Sequence, residues 1–137
     1  MRQNLKAFEI KRSSLQQGLQ ALGDFRPGGI SVNYRKCGKK NCACRRPGHP
    51  GHGPQFLWNT TQGGTSRAEN LRLGPELEKA RKELENYDRF LQLCKKLVEV
   101  NEEICRFRPA QPVEDEEGLE ALKKTLRRQF LRRRHKK

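Results

Sequence analysis

Three of the chain's five cysteines and two of its three histidines fall within CGKKNCACRRPGHPGHGP, residues 37–54. This cluster constrains the fold more than any other feature. Only 33% of the 137 residues are hydrophobic and 34% are charged, so the chain cannot bury a large core. A compact region of such composition needs a staple beyond apolar burial. No stretch approaches the roughly 20 apolar residues of a membrane span, and the opening MRQNLKAFEIKRSSL lacks the apolar centre of a secretory signal. The expected location is cytoplasmic, with no membrane partner. In a reducing compartment, closely spaced cysteines in odd number favour a metal over disulfides.

The spacing is Cys37-x4-Cys42-x-Cys44, with His49 and His52 following. A structural zinc ion takes four thiolate or neutral imidazole ligands in a tetrahedron. Three thiols and one histidine meet that need, and Gly38 allows the backbone to turn sharply after the first ligand. No paired Cys-x2-Cys run of the ferredoxin type is present, so one structural zinc is preferred to iron. The residues alone leave His49 and His52 both open as the fourth ligand. Catalysis is not expected: no cysteine is paired with a base and an orienting residue, and no glutamate in 26–60 can serve a hydrolytic metal.

The net charge of +14 is unevenly placed. Residues 26–60 hold seven Lys or Arg and no acid, and residues 121–137 hold nine and again no acid. Between them, 75–108 balances eight bases against eight acids, and 109–120 carries five acids and no base. Two basic blocks separated in this way point to a polyanion, with nucleic acid (DNA or RNA) the expected partner. Lys39, Lys40, Arg45 and Arg46 in the first block, and Arg127, Arg128, Arg132, Arg133 and Arg134 in the second, are the candidate phosphate contacts. Neither a recognition helix nor a base-stacking motif is evident, so the contacts are expected to be indifferent to sequence.

Four segments follow from the patterning. Residues 1–25 carry an N-terminal helix, about 3–22, with Leu5, Phe8, Leu15, Leu19 and Leu22 at helical spacing and Arg12 where the repeat skips. Residues 26–74 form a zinc-knuckle and hairpin module. Ile30, Val32 and Tyr34 alternate as in a half-buried strand, and QFLWNT (55–60) and SRAENLRL (66–73) flank a glycine turn. Trp58 and Phe56 are read as packing a sheet rather than stacking bases. Residues 75–108 are a long amphipathic helix, coiled-coil-like in its 3-4 spacing but with an apolar face wider than a two-stranded seam requires. Cys94 and Cys105 lie on that face and are read as core. Asn101 sits at a seam position, where it either sets register or faces water. Residues 109–137 are an acidic linker and a basic tail, helical from Gly118 and expected to be so only when bound.

YRKCGKKNCACRRPGHPGHGPQFLW, with the hairpin after it and the helix through ENYDRFLQL, resembles a prokaryotic domain-of-unknown-function family. Its members join a Cys-Gly-Lys-x2-Cys-x-Cys cluster to His-Gly-Pro, a hairpin and a long charged helix. The resemblance spans about residues 30–107. It implies a zinc-binding fold with Cys37, Cys42, Cys44 and His52 as ligands, and an association with mobile elements or nucleic-acid processing. The chain departs from the pattern at Gln55, where an aromatic is expected, in the second histidine of GHPGH, and in its basic tail. The expected fold is α+β: a small zinc-stabilised antiparallel sheet flanked by an N-terminal helix and a long coiled-coil-like helix, with a basic helical tail. The expected function is non-specific nucleic-acid binding. The alternative is a protein-interaction adaptor, acting through residues 75–107 on a partner protein or a second copy of the chain.

Overall fold

A computed structural model describes residues 2–135, with side chains described for 4–132. The fold is α+β, with three α-helices and one three-stranded antiparallel sheet among the described residues. Helix α1, Arg2–Gln20, and helix α2, Pro75–Phe107, run antiparallel. Phe8 stacks on Phe107 at one end, and Phe25, just beyond α1, stacks on Phe90 at 4.8 Å at the other. Leu93, Val100 and Ile104 on the facing stripe of α2 are buried. The N-terminal helix ends two residues earlier than its apolar spacing suggests, leaving Leu22 in the connection.

The bounds of α2 match the reading of the sequence because local chemistry marks both ends. Pro75 suits the first turn, where its missing N–H costs nothing. Glu76 and Glu78 lie where the helix dipole favours negative charge, and Glu76 also accepts a 3.0 Å bond from the Arg72 backbone N–H. At the far end Arg108 turns extended before Pro109, as the residue preceding a proline must.

Strands β1, Gly29–Arg35, β2, His52–Gln62, and β3, Thr65–Leu71, pair in the order β1-β2-β3. The β2–β3 turn is Gly63-Gly64, both with positive φ (55° and 79°), a two-residue hairpin turn that side-chain-bearing residues adopt poorly. Ile30 faces Trp58, Val32 faces Phe56 and Phe56 faces Leu71, which gathers the apolar residues on one side of the sheet. Trp58 and Phe56 are half-buried, and Leu71 is buried.

Arg26 ties sheet to helix. Its guanidinium lies 4.5 Å from the Trp58 ring centroid and 2.8 Å from Glu83 of α2. Trp58 in turn donates its indole N–H to the Pro27 carbonyl at 2.7 Å, and Asn86 of α2 donates to the Asp24 carbonyl.

The structure differs from the reading of the sequence at two places. Helix α3 spans Glu116–His135, so it begins two residues before Gly118 and takes Glu116, Glu117 and Glu120 into its first turns. The helix dipole accounts for the earlier start, since it stabilises acids in that position. Cys105 is exposed, whereas Cys94 is half-buried, because α1 covers only part of the wide apolar face of α2.

Candidate metal centre

The cluster is built where β1 runs out and β2 begins. Cys37 follows β1 by two residues, and His52 is the first residue of β2, paired across the sheet with Arg35. Between them a single 3-10 turn, Ala43–Arg45, carries Cys44, with Cys42 just before it. Gly51 delivers His52 to its place: at φ 110° it lies so close to Arg35 that a Cβ would come within 2.9 Å of that residue's backbone. Only glycine fits there.

The sulfurs of Cys37, Cys42 and Cys44 and a ring nitrogen of His52 all lie within 4.8 Å of one another, close enough to bind one metal ion. Cys37 and Cys44 sulfurs are 3.6 Å apart, and Cys42 sulfur lies 3.1 Å from His52 Nε2. A tetrahedral ion with metal–sulfur bonds near 2.3 Å separates its sulfur ligands by roughly 3.8 Å, so the donor set fits with little adjustment. Cys44 is fully buried, while Cys37 and Cys42 are half-buried and His52 is exposed.

The thiols of Cys37 and Cys44 are shifted in opposite directions. The Cys37 thiol is lowered to about 6, first by its hydrogen bond from the Lys39 backbone and then by Cys42 and His52. It is therefore largely thiolate at neutral pH, as a metal ligand must be. Burial pushes the Cys44 thiol up, the usual fate of a sulfur withdrawn from water without a cation beside it.

His49 stands outside the cluster. Its Nδ1 accepts a 3.0 Å bond from the Gly51 backbone N–H, which uses that nitrogen to shape the loop ahead of His52. Lys39, Lys40, Arg45 and Arg46 are all exposed around the cluster. A hollow of about 430 Å³ beside it is lined by Arg35, Lys36, Cys37, Gly38, His52 and Gln55. Arg35 and Lys36 directly precede Cys37 in the acid-free block and are exposed at the hollow, so they join the four basic residues that the sequence singles out. Arg127, Arg128 and Arg132 are exposed on α3, and the side chains of Arg133 and Arg134 lie outside those described.

No curated protein and no solved structure matches the chain. Among protein families, residues 5–82 match one described as Domain of unknown function (DUF6788). The matched stretch begins within α1, contains all four clustered ligands and ends in the early turns of α2, so it lies further toward the N-terminus than the motif alone indicates. A match over more than half of its length places the chain in that family: it belongs to DUF6788.

Proposed function

We propose that the chain is a zinc-stabilised, cytoplasmic nucleic-acid-binding protein that acts by binding and not by catalysis. The observation that carries this reading is a four-ligand cluster ringed by exposed Lys39, Lys40, Arg45 and Arg46 in a segment without a single acid. Three thiolates and one imidazole form a donor set that selects zinc among the common divalent ions. When bound, the ion supplies folding energy rather than chemistry. Lys and Arg on a loop pinned by the ion meet phosphates with less chain left to order, and α3 adds a second basic surface. The contacts are to backbone phosphates, so affinity is salt-dependent and nearly independent of sequence.

The test replaces Lys39, Lys40, Arg45 and Arg46 with glutamine. Metal content and helicity should stay constant while binding to unrelated sequences weakens about equally, the slope of log affinity against log salt shrinking by up to about 0.7–0.9 per lost contact. Binding with an unaltered slope would reject the reading.

A second reading, a protein-interaction adaptor, is favoured by one observation: Leu91, Val98 and Cys105 form an exposed line along α2 that α1 leaves uncovered. Retention of a defined oligomer or partner in high salt, with no affinity for nucleic acid, would favour it.

A further inference from the structure

Among the described residues, two apolar stripes are left exposed. On a helix advancing about 100° per residue, Leu91, Val98 and Cys105 of α2 align at intervals of seven, with half-buried Cys94 beside them. On α3, Leu119, Leu122, Leu126 and Phe130 share one face, and all four are exposed, Phe130 at 64%. An apolar line on one helix and a matching line on another bury each other when the helices pack at a small angle.

Charge sets direction and register. In an antiparallel pair, flanking positions on the same side of each stripe meet one another. With Cys105 opposite Leu119, Val98 falls opposite Leu126 and Cys94 opposite Phe130. That same register places Arg106 beside Glu120, Glu102 beside Lys123 and Glu99 beside Arg127, three pairs of opposite sign in sequence. A parallel arrangement sets these charges against Cys94, Leu97 and Asn101, where they find no partner. Arg106 is now paired with Glu103 and, at 3.8 Å, with Glu102, and Lys123 with Glu120, all within their own helices at exposed positions, so re-pairing costs little and serves to fix orientation.

The linker decides which copy supplies α3. Pro109 and Pro112 stiffen residues 108–115, and Val113 packs against the start of α3, where a Cβ on Gly118 would meet its Cγ1 at 3.2 Å. Helix α3 makes at most marginal contact with its own α2, and both stripes are exposed. We propose that α3 of one copy docks antiparallel on the Leu91–Val98–Cys105 stripe of a second copy, in a reciprocal exchange. The exchange is isologous, so it closes on itself and covers both stripes of both chains. Lys124, Arg128 and Arg132 lie on the far side of α3 and stay free.

Full-length, metal-loaded protein should sediment as a dimer. Val98→Asp and Leu126→Asp alter exposed positions and should keep helicity while weakening the dimer at least about tenfold, the scale of a lost interface anchor. Glu99→Arg and Arg127→Glu should each weaken it, and together restore most of the loss. With Leu119→Cys and the native Cys105, mild oxidation should yield a covalent dimer that disappears when Cys105→Ser is added. A monomeric chain, a dimer indifferent to Val98→Asp and Leu126→Asp, or a Cys105 crosslink confined to one chain would overturn the exchange.

Discussion

Arg12 of α1 donates a 3.3 Å hydrogen bond to Asn101 Oδ1 of α2, and the Asn101 amide is steadied by donating to the Leu97 carbonyl at 2.9 Å. The pair lies between the Phe8–Phe107 stack and the close approach of Gly18 to Leu93, in the middle of an otherwise apolar seam. A polar pair at such a position fixes the register of two helices at some cost in stability. Arg12→Leu or Asn101→Leu alone strands the other partner and should destabilise by about 1–2 kcal/mol. The double variant should recover most of that loss. Thermal melts of all four proteins would check it, strictly additive losses being the contrary result.

The two histidines should separate cleanly. His52→Ala and Cys42→Ser should both lose metal by elemental analysis, with the sheet melting as in chelated protein, because metal binding energy offsets the small core. His49→Ala removes only the contact to Gly51 and should retain metal. Metal retained by His52→Ala and lost by His49→Ala would reverse the ligand assignment.

Glu83 makes docking of the sheet on the helices sensitive to acid. A hydrogen bond from Lys79, assisted by the charge of Arg26, holds its carboxyl below the ordinary value. A carboxyl so lowered contributes fully above its unfolded value of about 4.3 and loses that contribution as pH falls through the lower folded value. The wild type should therefore lose part of its thermal stability between neutral pH and about pH 3 that Glu83→Gln has already lost. Parallel melting curves across that range would contradict this.

The two basic surfaces should act independently. Replacing Lys124, Arg128 and Arg132 with glutamine should lower the salt slope of nucleic-acid binding, and the knuckle substitutions should lower it again by an amount that adds. A sub-additive result would mean that one phosphate tract spans both surfaces.

Local chemistry made much of this molecule legible. The bounds of α2 could be read from Pro75 and Pro109, and the hairpin from Gly63-Gly64, because each residue restricts its own backbone. The cluster was legible because clustered thiols have few other uses. What the sequence obscured depended on distant geometry. Cys105 looks like core until α1 proves too narrow to reach it. The role of Arg26 between Trp58 and Glu83 has no local signature, since its partners lie 32 and 57 residues further along the chain. Spacing alone leaves His49 and His52 open; the resemblance of His52 to the His-Gly-Pro pattern separates them, and the hydrogen bond from Gly51 that occupies His49 gives the geometric reason.

The four ligands also divide the β1–β2 connection by how freely it can change. When a metal joins Cys37, Cys42, Cys44 and His52, the path between the strands becomes a series of short loops pinned at both ends, and Gly38–Asn41 and Arg45–Pro50 are spans between fixed posts. Loop closure entropy rises only logarithmically, so doubling the length of such a span costs about 0.6 kcal/mol. The lysines and arginines on these spans can thus be added, lost or moved at little cost to the fold, while Gly51, wedged against Arg35, cannot. Selection can therefore retune the knuckle's charge in length as well as composition, leaving the frame that presents it intact.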